Sequence, residues 1–208
     1  MTNTGKPKRA LLLIDVQNEY VSGNLPIEYP PLATSLKNIE AAIKTAQSHS
    51  IPIVVVQQMA PETSPIFAKG SHGWELHPLV ASLKPDLLVH KQLPSALAGT
   101  QLAQWLKKEE IDTLTVTGYM TQNCNESTIR QATHEGWAVE FLHDAAGTVS
   151  FRNSQGLLKA EDMHKAACVV LQSRFAAVMT TQEWMHCIQT GEAPIRDSIY
   201  QSYKQAHA

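Results

Sequence analysis

Cysteine is scarce in this chain. Only Cys124, Cys168 and Cys187 occur in 208 residues, an odd number, far apart and without a Cys-x-x-Cys pair. That pattern argues against a disulfide framework and against a cysteine-built zinc site. Long apolar runs are missing too. No stretch approaches the ~18 consecutive apolar residues that span a bilayer, and residues 1–10 lack the apolar centre of a signal peptide. The expected location is cytoplasmic, with no membrane partner. Charge of one sign is also lacking: 17 Lys and Arg stand against 19 Asp and Glu, a formal net charge of −2. The one basic cluster, Lys6, Lys8 and Arg9, reads as a solvated tail over residues 1–8, so no nucleic-acid partner is expected. Neither an internal repeat nor a low-complexity segment interrupts the chain.

What is present suits one domain over residues 1–208. The composition is 43% hydrophobic and 17% charged, enough to build a sizeable core. Short apolar runs at 9–16, 51–57, 86–91, 112–119, 137–145 and 175–181 have strand length and are rich in β-branched residues. Helical patterns lie between them. Leu32, Leu36, Ile39, Ile43 and Ala46 repeat at spacings of four and three, which gives one apolar face. Further helices are expected at 100–111, 124–136, 153–172 and 182–191. Apolar strands alternating with helices predict a three-layer α/β/α, Rossmann-like domain, with a mostly parallel six-stranded sheet covered on both faces. Residues 58–85 break the rhythm. With Pro61, Pro65, Gly70, Gly73 and Pro78 they form no clear element and read as a long binding or oligomer loop.

In parallel α/β sheets, ligands bind beyond the carboxyl ends of the strands. Asp15 ends the first strand in "LLLIDVQN", Lys91 ends the third in "LLVHKQLPSAL", and Cys124 follows the fourth past "GYMTQN". Singly, each residue has an ordinary reading: a turn-capping acid, a solvated lysine, a buried inert thiol. Together they make chemical sense. A thiolate at a helix N-terminus beside a lysine would be favoured, and an acid nearby could take and return the thiol proton.

These segments resemble the isochorismatase-like cysteine hydrolases, the superfamily of nicotinamidases, N-carbamoylsarcosine amidases and isochorismatases. "LLLIDVQNEY", "KQLPSAL" and "GYMTQNCNESTIRQATHEGWAVEFLHDA" carry the likeness, which runs over roughly residues 9–181. The resemblance implies a triad: Cys124 as nucleophile, Asp15 as general base and acid, and Lys91 as the charge that holds the thiolate. It also implies a cis peptide at Tyr119–Met120, with the backbone N–H groups of Met120 and Cys124 forming an oxyanion hole. The reaction expected from it is cleavage of a small amide or related C–N bond through a thioester. The alternatives are vinyl-ether hydrolysis with Asp15 as acid, or a non-catalytic oligomeric binding protein. A homo-oligomer, dimer or tetramer, is the family-level expectation.

Departures from the family pattern shape the remaining expectations. Nicotinamidases carry an Asp-x-His metal motif after the second strand, where this chain reads "VVVQQMAP". His72 and His77 make a poor ligand set in a loop, so neither a metal nor another cofactor is expected. Asn125 replaces a small apolar residue after the cysteine, and Leu97 replaces an aromatic. The partner is a small-molecule substrate. Gln17, Tyr20, Phe67, Trp74 and Tyr119 are the candidates to bind it. Gln17 could instead satisfy its own turn, and the aromatics could serve the core or a subunit contact.

Overall fold

The computed structural model describes residues 6–208. The strands are β1 (Arg9–Ile14), β2 (Ile53–Gln58), β3 (Leu87–Lys91), β4 (Thr113–Tyr119), β5 (Ala138–Gly147), the hairpin pair β6 (Phe151–Asn153) and β7 (Gly156–Leu158), and β8 (Ala177–Met179). All but the hairpin form one parallel sheet in the order β3-β2-β1-β4-β5-β8. The helices are α1 (Leu32–Ser48), α2 (Pro78–Ala81), α3 (Leu102–Lys108), α4 (Glu126–His134), α5 (Ala160–Gln172), α6 (Thr181–Thr190) and α7 (Ile199–Gln205). Among the described residues no helix is long and apolar enough to cross a membrane.

The period of a strand explains why β1 is apolar throughout. Successive side chains point to opposite faces, and here both faces are covered. Ala10, Leu12 and Ile14 join a core with Leu106, Ile129 and Phe141. Leu11 and Leu13 join a second core with Ile39, Ile43 and Trp184. Each fully buried aliphatic side chain contributes roughly 1.5–3 kcal/mol, so the two cores clamp the central strands. A buried charge pair lies inside this frame, at the start of β1. Arg9 donates through Nε and a terminal nitrogen to Glu140, at 2.8–3.1 Å. Thr115 and Trp184 also donate to Glu140. Arg9 therefore belongs to the core and not to a solvated tail, while Lys8 pairs with Glu110 at the surface. The rest of the expected tail, residues 1–5, lies outside the described residues.

The chain order leaves β1 toward β2 and β3, then returns to β4 on the other side. That reversal opens a crevice between the ends of β1 and β4. Ile14 pairs with Gly118 at this point. Gly118 has φ +100, and a Cβ there would lie 2.0 Å from the Ile14 carbonyl oxygen. Gly118→Ala is therefore expected to cost about 2–6 kcal/mol, from backbone strain plus overpacking. The urea midpoint would measure it, and an unchanged midpoint would contradict this account.

Several expected boundaries move. Residues 153–172 do not form one helix. Asn153 and Gly156 instead flank a tight hairpin turn, with Gly156 at φ +129, and α5 begins only at Ala160. The helix expected from Cys124 begins as a π-helical turn, Thr121–Asn125, and becomes α-helical at Glu126. Within 58–85 the short helix α2 forms, capped by His77. The rest of that segment is bolted to the end of β1. Asn18 N donates to Glu75 O, Glu19 N to Gly73 O, and His77 N to Val16 O.

Candidate active site

Three segments bring Asp15, Lys91 and Cys124 together at the carboxyl edge of the sheet. Asp15 follows β1 in the left-handed region, φ 51, a conformation that aspartate tolerates better than most residues. Its N–H stays tied to Val56 O at 2.9 Å. Lys91 closes β3, in register with Gln58 at the end of β2. Cys124 lies in the π-helical turn after β4. The Lys91 Nζ is 2.8 Å from Asp15 Oδ2, with both side chains fully buried. The same nitrogen is 3.3 Å from Cys124 Sγ, 2.7 Å from Gln58 Oε1 and 3.2 Å from Leu93 O. The Asp15–Lys91 contact is an ion pair by distance. Neither carboxylate oxygen accepts a well-aligned hydrogen bond, so one stays open to a thiol or substrate proton.

Neighbouring side chains set this geometry. Asn125 Nδ2 donates to Gly118 O at 2.7 Å, which ties the turn to β4. Thr128 Oγ1 donates to Cys124 O and accepts from Ala96 N, which joins α4 to the segment after Lys91. Gln17 accepts from Gln58 N, and its amide donates to Gln58 O and Trp74 O. Gln17 is thus a brace for the residue that holds Lys91, and its amide is already engaged within the fold. Glu19, buried beside Gly23 and Gly73, accepts from Asn24 N and fixes the long loop. The roles of Asn125, Thr128 and Glu19 are not legible as site roles in the sequence. The only signal there is a polar type in an otherwise buried stretch.

The Tyr119–Met120 peptide bond is cis. Tyr119 is buried, with its hydroxyl 2.8 Å from Ser35 Oγ. A cavity of about 240 Å³ is walled by Tyr20, Gln58, Phe67, Pro94, Asn123 and Cys124, among others. Tyr20 and Phe67 meet edge to face at 5.2 Å. Of the residues expected to bind substrate, Tyr20 and Phe67 stand on these walls. Gln17, Trp74 and Tyr119 do not: Trp74 contributes its carbonyl to the two glutamine braces, and Tyr119 packs behind Tyr20. Among the described residues, none that lines this cavity is charged. A larger cleft of about 410 Å³ beside α6 contains none of the three triad side chains.

Protonation runs against the thiolate expected from sequence. Burial pushes the Cys124 thiol well above its usual range. The Asp15 charge adds to this, and Lys91 offsets only part of it. Burial also raises Asp15 above 3.8, against the pull of Lys91. For Lys91, burial is the largest single influence and lowers the pKa, but Asp15 and Cys124 together outweigh it and the net shift is upward. Burial and the Asp15 charge thus favour the thiol form of Cys124, and the net upward shift of Lys91 favours its ammonium form.

Where a metal would sit in a nicotinamidase, Gln57 and Gln58 offer only amides, engaged with Trp74 O and Lys91. His72 faces Ser22 and Glu75, and His77 caps α2.

Comparison with known proteins agrees with this architecture. The isochorismatase domain model matches residues 9–183. A crystal structure carrying the isochorismatase name, from Burkholderia xenovorans LB400, is 55% identical, covers 98% of both chains and superposes with a TM-score of 0.96. The isochorismatase family protein YddQ of Bacillus subtilis (strain 168) is 27% identical over 85% of this chain and 98% of its own length. Nicotinamidase 3 of Arabidopsis thaliana is 28% identical over 80% of this chain and 82% of its own. The chain belongs to the isochorismatase family of hydrolases.

Proposed function

We propose that this hydrolase cleaves a small, uncharged amide or related C–N bond through a thioester on Cys124. The observation that carries the reading is the Asp15–Lys91–Cys124 contact set, which meets a small cavity through Cys124, with no charged side chain among the described residues that line it. Sγ attacks the carbonyl carbon as the thiol proton passes to Asp15. The N–H groups of Met120 and Cys124 receive the oxyanion. Asp15 then protonates the leaving nitrogen, and an amine or ammonia departs. A water molecule, deprotonated by Asp15, attacks the thioester, and the returning proton restores the thiol. Lys91 keeps its charge throughout and stabilises each anionic stage.

The uncharged walls also bear on the rival vinyl-ether reading. Isochorismate carries carboxylates, and among the described residues no cation lines this cavity, Lys91 being held behind Gln58 and Cys124. Assembly into a homo-oligomer belongs to the same proposal. It is supported by apolar side chains left exposed on the hairpin and on α5: Phe151, Leu157, Leu158 and Val169.

Iodoacetamide is itself a small neutral amide and serves as the test. At neutral pH, mass spectrometry should find a single carbamidomethyl group on Cys124, with labelling slowed by any amide that the enzyme turns over. Equal labelling of Cys168 and Cys187, unaffected by substrate, would sink the proposal.

A further inference from the structure

Outside the triad, the described residues hold one cluster of ligating side chains. His164 and Cys168 lie one turn apart on α5, a spacing that puts both on the same helix face. His143, on β5, comes up to that face, and ligand atoms from the three residues all lie within 4.8 Å of one another. His164 is only 3% exposed, and its Nε2 has no hydrogen-bond partner. A buried ring nitrogen left bare in this way lacks what nearly every buried polar group has. Its other nitrogen, Nδ1, is 2.8 Å from Thr121 Oγ1. With the Nδ1 proton donated to that hydroxyl, Nε2 presents a lone pair toward His143 and Cys168. Metal-ligating histidines are commonly held in this way. All three residues line a cleft of about 790 Å³, through which an ion can enter.

We propose that His143, His164 and Cys168 form a binding site for a borderline-soft divalent cation of the zinc class. Two imidazoles and one thiolate suit Zn²⁺ and poorly suit Mg²⁺ or Ca²⁺, which take oxygen ligands. Binding breaks the Cys168 S–H bond, forms a metal–sulfur bond and releases the proton to water. The fourth position faces the cleft and takes a water molecule. Tetrahedral ligands about 2.0–2.3 Å from zinc stand about 3.3–3.8 Å apart. The cluster therefore contracts by about 1 Å, a movement available to the half-buried His143. Thr121, which holds the His164 ring, is the first residue of the π-helical turn carrying Cys124. The ion thus braces the nucleophile's turn from behind and takes no part in bond cleavage.

The test uses the full-length protein, stripped by dialysis against a chelator and titrated with ZnCl₂ in a calorimeter. One equivalent should bind, and the thermal midpoint should rise. Cys168→Ser and His143→Asn should each weaken binding at least about tenfold, while Cys187→Ser should not. Cobalt(II) should give a thiolate charge-transfer band that Cys168→Ser abolishes. Absence of binding would overturn the proposal, as would affinity unchanged in both ligand variants. A cobalt band lost in Cys124→Ser instead would also overturn it, by placing the ion at the triad.

Discussion

Replacing Cys124 with alanine will lower turnover of the amide substrate by about 10⁴–10⁶-fold while the chain stays folded. The thiol is the proposed nucleophile, and its removal deletes a small side chain from a site already braced by Asn125 and Thr128. Asp15→Asn will cost turnover on the same scale but will act differently on the thiol. Asp15 is one of the groups that raise the Cys124 pKa, and Lys91 is the group that lowers it. Without the carboxylate, Lys91 favours the thiolate, so alkylation of Cys124 persists or quickens while hydrolysis stops. The double variant will be little worse than either single one, because the groups act as a unit. In the wild type, the proposed route requires ionised Asp15, whose pKa burial lifts above 3.8. The acid limb of the kcat/KM profile should therefore lie above that value. Steady-state assays beside alkylation rates check all of this. Full turnover in Cys124→Ala would instead favour vinyl-ether cleavage with Asp15 as acid.

The sheet can be read from sequence because its strands are buried on both faces. Runs such as "ALLLI" and "IVVV", short and rich in branched aliphatics, fit a doubly covered strand better than a helix, and the strand ends then point to Asp15, Lys91 and Cys124. The hairpin at 151–158 cannot be read in the same way. Phe151, Leu157 and Leu158 face outward, at 40%, 52% and 45% exposure, so no core imposes a period on them. The protonation of Cys124 is hidden for a related reason. A helix N-terminus and a lysine are local signals that favour a thiolate. The burial that opposes them comes from segments distant in sequence, Tyr20 and Phe67 among them. Gln17 shows the same limit. Its type suits an amide-binding role, but the long loop brings Trp74 O to it, and Gln58 occupies the rest of its amide.

Lys91→Met will destabilise the protein by about 3–5 kcal/mol, because it leaves the Asp15 carboxylate buried without its cation. The loss should show as a lower urea midpoint at neutral pH. Adding Asp15→Asn should recover most of it, since a neutral amide carries no desolvated charge; the size of that recovery is the coupling between the two residues. Activity should stay lost in both variants, which separates the ion pair's part in folding from its part in chemistry. The pH dependence has a definite sign. Asp15 already titrates above 3.8 in the folded state, so between 3.8 and its folded pKa the native chain binds more protons than the unfolded one. Stability carried by this group therefore falls as pH rises through that window and is regained on acidification. Removing Lys91 takes away the main charge opposing burial, pushes the Asp15 pKa higher and widens the window. Lys91→Met should accordingly gain stability relative to wild type as pH falls from neutral. A gap between the two that stays constant from pH 7 to pH 5 would mean that Lys91 contributes through packing of its aliphatic stem, with no net charge effect. Its ion pair with Asp15 and its three acceptors, Cys124 Sγ, Gln58 Oε1 and the Leu93 carbonyl, argue against that. Methionine has a stem of similar length and no donor for any of them.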